Sequence, residues 1–321
     1  MTKIITIGAA VQDVFLSHSP ELRPVKDKAD DEVFLKIELG TKNDVEDINF
    51  STGGGATNSA VTFARQGLET EFMGTIAHDP AGDAVLSDLD KEGVDTSSVS
   101  YSDKYNTGYS VVLLASNGER TFLTYRGAST HYDIKNFKLT DSKADWIYVT
   151  SMAGNMEILD KIFRQAKKLS IKVFYNPGND ELSQKNKLKA LLEDVDVLSI
   201  NKQEAQEIVD GDSLEELIRR LLNYVPLAII SDGPNGVIAS DGKTIVRAGM
   251  YEDVKVVDRS GSGDAFGSGF LSKLACGKSL KDSIVFASAN STSVVTKIGA
   301  KAGILHKGVV LHSMPLSEKQ F

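Results

Sequence analysis

The segment Val256-Val257-Asp258-Arg259-Ser260-Gly261-Ser262-Gly263-Asp264-Ala265-Phe266 places two glycines and a carboxylate where a strand-like run gives way to a helical one. Glycines at 261 and 263 permit a tight turn whose amides point into a common space. Unpaired amides at a helix start bind phosphate oxygens and the charge that grows as a phosphoryl group moves. Asp264 falls at the same helix start, where its carboxylate can receive the proton of an attacking hydroxyl. Phe266, Phe270 and Leu274 share one helix face, and Gly277 can end that helix. A glycine-rich turn with an acidic N-cap explains the same residues without chemistry. A dinucleotide-binding turn fits less well, because the third glycine is displaced to Gly267 and a carboxylate stands where a pyrophosphate belongs. A P-loop is excluded, since no Gly-Lys-Ser or Gly-Lys-Thr ends the turn.

A second constellation is Ser51-Thr52-Gly53-Gly54-Gly55-Ala56-Thr57-Asn58, a glycine-rich turn running into a helix that Gly67 can stop. Consecutive glycines let a ligand approach the backbone, and Asn58 can both donate to and accept from sugar hydroxyls. A close helix–sheet crossing accounts for the same glycines. Asp13 follows the first strand by a few residues. Asn201 and Glu204 stand at the spacing of a helix-capping box, and Ser231-Asp232-Gly233-Pro234-Asn235-Gly236 is a turn after an apolar run. Arg126 ends a strand-like ribbon and can reach an anionic group or remain in solvent, and Asn290 suits a helix–helix hydrogen bond.

These residues need a frame. The chain alternates short branched-apolar runs with helical patterns, which indicates an α/β fold around a mostly parallel sheet. Strands are expected at Ile4–Ile7, Glu71–Ile76, Trp146–Thr150, Lys172–Tyr175, Val195–Ile200 and Leu227–Ser231, with a further one ending near Asp258. Ile158, Leu159, Ile162, Phe163 and Ala166 form the clearest helical stripe. Two stretches break the rhythm: 31–50, with Val33, Leu35, Ile37 and Leu39 alternating, and 108–125, folded about Asn117-Gly118. They predict a small antiparallel sheet that projects from the core and covers a cleft. Val237–Ser240 and Thr244–Val246 predict another hairpin, and Ser317–Phe321 a loose tail.

The motif Asp258-x-x-Gly261-x-Gly263-Asp264, preceded along the chain by Asp13, Gly53–Asn58 and the Asn201/Glu204 pair, resembles that of the ribokinase-like (PfkB) carbohydrate kinases. The resemblance spans nearly the whole chain. It implies a three-layer α/β/α sandwich with a projecting β-sheet lid, formed as one domain over 1–321 with lid segments near 12–50 and 106–126. It also implies transfer of a phosphoryl group from ATP to a hydroxyl of a small sugar-like acceptor. Asp264 would be the base, and Gly261, Ser262 and Gly263 the anion hole. Asp13, Gly53, Gly54, Asn58 and Arg126 would serve the acceptor, and Asn201, Glu204, Ser231, Gly233, Gly236 and Asn290 the donor. Glu204 would reach Mg2+ through water, and Asp258 would help hold a monovalent cation such as K+ beside the 297–300 loop. Arg259-Ser260 stands where the family often has two hydroxyl residues, and Gly55-Ala56 lacks a lysine common in ribokinases. The acceptor therefore stays open among sugars, sugar acids and nucleosides. A nucleoside kinase, drawing an aromatic slot from Phe15, Phe34 or the 107–126 ribbon, is the alternative. A non-catalytic sugar or nucleotide sensor stands behind it.

Composition narrows the partners. Of 321 residues, 41% are apolar and 25% charged, and 36 basic against 44 acidic residues give a net charge of -8. That balance opposes a nucleic-acid or anionic-membrane surface. No stretch approaches the roughly 18 apolar residues of a membrane span. The N-terminus reads as a first strand rather than an export signal, so the expected location is cytoplasmic. Cys276 is alone and suited to helix packing. A homodimer through exposed edges of the lid is a further expectation.

Overall fold

The computed structural model describes residues 1–321 except 18, 20–21, 27–32, 116–119, 140–142, 250 and 252–253. Its main sheet runs, in spatial order, Leu316–Gln320, Thr244–Ala248, Val237–Ser240, Leu227–Ser231, Val197–Asn201, Lys172–Tyr175, Trp146–Val149, Lys3–Ile7 and Glu69–Met73. From Leu227–Ser231 to Glu69–Met73 the neighbours are parallel, and the remaining edge is antiparallel.

Strand alternation sends successive side chains to opposite faces, and each face buries a different helix layer. Ile5, Ile7, Ile147 and Val149 pack with Ile158, Ile162 and Phe163 of the helix Met156–Leu169. On the other face Ile4, Tyr148, Phe174 and Ile229 pack with Phe266, Phe270 and Ile284. The helix Ser262–Leu274, which follows the glycine turn, is thereby fixed to the sheet by its aromatic stripe. Burying Phe270 fully contributes about 1.5–3 kcal/mol.

A second sheet, in the order Arg120–Tyr125, Gly108–Leu114, Val11–Ser17 and Asp47–Gly53, forms the lid. It is mixed rather than purely antiparallel, because Val11–Ser17 runs parallel to Gly108–Leu114. The alternation over 31–50 does not make one strand. Val33–Leu35 pairs with Pro24–Lys26 in a separate ribbon, and only Asp47–Gly53 enters the lid. Asn117-Gly118 lies outside the described residues; the strands flanking it pair antiparallel as expected.

Other expectations are corrected. The predicted strand 71–76 divides at Gly74, and Thr75–Ile76 pairs with Ser100–Tyr101. Among the described residues no strand leads into Asp258: the amides of Val257 and Asp258 both donate to the Val295 carbonyl. The expected tail is the edge strand Leu316–Gln320, tied by Lys319 to Glu215 at 2.5 Å. Polar composition concealed it, as an edge strand can carry charge on an exposed face. Cys276 is exposed and does not pack the helix.

Candidate active site

The carboxyl ends of the parallel strands open on one side, where α/β folds place their ligands. Two glycine turns meet there. Gly54 precedes the helix Gly55–Arg65 with φ +99°, and a Cβ on it would stand 2.3 Å from the Ala9 carbonyl oxygen. Gly261 precedes the helix Ser262–Leu274 with φ +71°, and its Cβ would stand 2.4 Å from that of Ala300. Both positions combine a left-handed backbone with contact too close for a side chain.

The Asn58 side-chain amide donates to Asp264 Oδ2 at 2.9 Å. Asn58 Oδ1 is buried and has no hydrogen-bond partner among the described residues. A buried acceptor left unpaired is costly, so this oxygen suits a donor brought by a ligand. On the other side of Asp264, a Cβ at Gly55 would lie 3.2 Å from Oδ1. At Gly53 a Cβ would lie 2.2 Å from Asp13 Oδ2, so the 53–58 turn touches both carboxylates. Asp13 accepts a hydrogen bond from Ser110 on the neighbouring lid strand.

Burial pushes the Asp264 carboxyl above the ordinary carboxylate range, opposed by the Asn58 hydrogen bond and the charge of Lys301. Asp13 is raised as well, first by burial, with Ser110 and Lys301 pulling it back. A proton acceptor held above its usual pKa is better matched to work near neutral pH.

The glycine turn beside Asp264 offers backbone donors. Gly261 supplies no side-chain cap, and the Ser262 amide is spent on the Arg259 carbonyl at 3.3 Å. Among the described residues no hydrogen bond engages the amides of Gly261, Gly263 or Asp264. The amides left open among the described residues are therefore those of Gly261, Gly263 and Asp264 rather than all of 261–263. A Cβ at Gly263 would meet nothing within 4 Å, so the space beside this residue is open. That space is a cavity of about 250 Å³ lined by Ser231, Gly233, Gly236, Arg259, Gly263 and Thr292, among others.

The remaining expected site residues are placed less uniformly. Asn201 and Glu204 form a complete capping box: the Asn201 side chain accepts from the Glu204 amide at 2.9 Å, and Glu204 Oε2 accepts from the Asn201 amide at 2.8 Å. Asn201 pairs with Ser231 on the next strand, which sets the box beside the donor cavity. Burial raises the Glu204 carboxyl. Arg126 is largely exposed, and its guanidinium meets Asp180 at 4.0 Å rather than the Asp13–Asn58–Asp264 group. Asn290 is fully buried; it donates to the Ala265 carbonyl at 2.8 Å and accepts from the Leu305 amide at 2.9 Å. It is a bridge within the fold and lines no donor wall.

Asp258, the expected cation contact, is held by protein donors. Its Oδ1 accepts from the Ser260 amide and hydroxyl, and its Oδ2 from the Gly299 amide at 3.0 Å. Arg120 Nη1 stands 3.3 Å from Oδ1. Three protein donors thus converge on Oδ1, whereas Oδ2 has one. Among the described residues no group of three or more His, Cys, Asp or Glu side chains could hold a metal.

Two participants left no trace in the sequence. Lys301 is buried, donating to Thr52 Oγ1 at 2.5 Å and to Asp88 Oδ2 at 3.1 Å. Glu181 is fully buried and accepts from the amides of Met152, Gly154 and Gly178, tying together loops beside the cleft. Neither sits in a glycine motif, and their type predicts a surface position.

Two parallel-sheet faces clad in helices, a lid, and a carboxylate between two glycine turns define a small-molecule kinase of the α/β/α sandwich class. The chain belongs to the pfkB family of carbohydrate kinases, whose model matches residues 28–307. The reaction class of that family, ATP-dependent phosphoryl transfer to a sugar or nucleoside hydroxyl, is accordingly the class of this chain. It is 27% identical to an ATP-dependent 6-phosphofructokinase of Thermoanaerobacterium thermosaccharolyticum, over 77% of this chain and 80% of the relative. It is likewise 27% identical to a ribokinase of Haemophilus influenzae, over 78% and 83% of the two chains. Its fold matches the nucleoside kinase of Methanocaldococcus jannaschii with a TM-score of 0.77 at 20% identity, over 95% of each chain. Among the described residues no helix is long and apolar enough to cross a membrane.

Proposed function

We propose that this chain phosphorylates a hydroxyl of a small sugar-like acceptor, with Asp264 as general base. The observation that carries this reading is the Asn58–Asp264 bond at 2.9 Å, with Asn58 Oδ1 left for a ligand. Asp13 and Asn58 orient the acceptor by its hydroxyl groups, rejecting molecules that lack them. Asp264 takes the proton of the hydroxyl whose oxygen attacks the γ-phosphorus of ATP; the bond to the β-phosphate oxygen breaks, and ADP leaves. The open amides of Gly261, Gly263 and Asp264 balance charge on the transferring oxygens, and the lid excludes competing water. Ser231, Gly233 and Gly236 border the nucleotide cavity.

Mg2+ in such a site neutralises donor phosphate charge, and it commonly keeps water between itself and protein carboxylates. Glu204 fits that outer role: one of its oxygens is committed to the amide of Asn201, whose strand partner Ser231 lines the cavity. We read 1–321 as one catalytic unit acting in the cytoplasm, and the exposed Ile48, Phe50 and Leu123 of the lid as a homodimer contact.

A nucleoside acceptor is favoured by one feature. Strand register puts Phe122 on the same lid face as Asp13, through the pairs Asp13–Ser110 and Ser110–Thr124, and Phe122 remains partly exposed. Phe15, by contrast, is buried and unavailable. The purified chain with Mg-ATP should be offered sugars, sugar acids, sugar phosphates and nucleosides, and the phosphorylated position mapped. One class should be phosphorylated with an Asp264-dependent rate. Absence of transfer to every class, with ATP bound, would instead favour a sensor.

A further inference from the structure

Asp258 has no exposed side-chain surface, yet three of its four contacts are neutral donors: the Ser260 amide, the Ser260 hydroxyl and the Gly299 amide. A carboxylate taken out of water needs a counter-charge as well as hydrogen bonds. Arg120 supplies it from a different sheet. It opens the lid strand Arg120–Tyr125, and its Nη1 reaches Asp258 Oδ1 at 3.3 Å while its guanidinium lies 5.5 Å from the Phe122 ring centre. Lys301 is bound to Asp88 and Thr52, and among the described residues the ion pair of Asp258 is with Arg120.

The position of this pair gives it consequences. Asp258 begins the turn that ends in the open amides, and through Gly299 it holds the loop on which that turn rests, since a Cβ on Gly261 would meet Ala300. A Cβ on Gly299 would also stand 2.7 Å from the hydroxyl of Ser51, which pairs with Asp13. One carboxylate therefore ties together the anion turn, the 297–300 loop and, through Arg120, the far end of the lid.

We propose that Arg120 is a positioning residue for phosphoryl transfer: its guanidinium is the resident monovalent charge of the Asp258 turn, delivered by the lid. Two properties follow. Setting of the amide cradle is coupled to lid placement, because the counter-charge arrives only with the lid strand. External K+ is dispensable, because its place in the charge balance is taken. The inference rests on the kinase reading for its effect on rate, but the pairing itself is testable without it.

The test compares the wild type with R120A and R120Q, the latter keeping part of the stem and a neutral polar end should R120A fold poorly. Turnover is measured with Mg-ATP and the accepted acceptor at constant ionic strength, replacing K+ by tetramethylammonium, with and without added guanidinium. Amide hydrogen exchange of 108–114, 120–125 and 258–263 is followed in parallel. The wild type should be indifferent to K+ within about twofold, and the variants should lose about tenfold or more in kcat, as expected for a lost buried charge partner. Guanidinium or K+ should restore part of that loss, and exchange in both the lid strands and the turn should quicken in the variants. Strong K+ activation of the wild type, or variants matching it in rate and exchange, would overturn the proposal. A wild type that transfers no phosphoryl group defeats the kinase reading alone, since the exchange comparison still decides the pairing.

Discussion

Asn58 donates its side-chain amide to Asp264 at 2.9 Å, joining two glycine turns that lie 206 positions apart in the chain. Each turn by itself has an ordinary structural explanation. Their contact sets the carboxylate on the amide nitrogen of an asparagine whose own Oδ1 is buried and unpaired among the described residues.

Replacing Asp264 by Asn removes the proposed base and keeps its shape. We expect kcat to fall by about 10²–10⁴-fold with binding of Mg-ATP retained, measured by steady-state kinetics and nucleotide titration. Stability should move the other way. The raised carboxyl means the folded state keeps a proton that the unfolded chain has released, so ionised Asp264 opposes folding once pH exceeds the ordinary carboxylate range. At neutral pH the Asp264→Asn chain should therefore melt above the wild type; a lower Tm would contradict the assigned desolvation.

The pH profile carries the same sign. With Asp264 as the proposed base, the reaction requires its ionised form, and kcat/KM should fall on the acid side at a pH above that of an unperturbed aspartate. Asn58 holds that pKa down, and Asn58→Ala should move the acid limb further toward neutrality while raising KM for the acceptor. A profile unchanged by this substitution would separate Asn58 from the base.

Lys301 and Asp88 form the buried charge contact behind the acceptor strand, with Thr52 between them. Lys301→Met should cost about 1–3 kcal/mol of stability, less than a fully buried pair because Asp88 retains some solvent access. Adding Asp88→Asn should recover part of this loss in a denaturation double-mutant cycle. Strict additivity would show that the two charges act independently.

The glycine turn permits a contrast between neighbours. Ser262→Ala should leave kcat within about twofold, because its side chain is not part of the amide cradle. Gly261→Ala must place a Cβ against Ala300 in a left-handed backbone, at a cost of about 1–3 kcal/mol, and should lower both Tm and kcat. Equal effects at the two positions would show that the turn does not depend on its backbone shape.

Much of the frame was legible because it follows from local periodicity. The runs at Lys172–Tyr175 and Leu227–Ser231 are apolar in succession, and such strands can only be buried between two helix layers. The stripe from Ile158 to Ala166 likewise fixes which side of its helix meets the sheet. Gly54, Gly261 and Asp264 stood out because few residue types tolerate a left-handed turn or supply a carboxylate at a helix start.

What tertiary structure decided were the partners of charged residues, since a charge carries no periodic signal. Sequence offered Asp258 a cation, whereas the fold surrounds it with donors from Ser260, Gly299 and Arg120. Asn290 reads equally as a nucleotide contact or a core bridge, and only the meeting of Ala265 and Leu305 around it settles the matter. Lys301 reads as surface until Thr52 and Asp88 close over it. Sequence by itself thus determined the layers, the two glycine turns and the carboxylate between them. The pairing of distant charges, which depends on separations of a few ångströms across hundreds of residues, was determined by the fold alone.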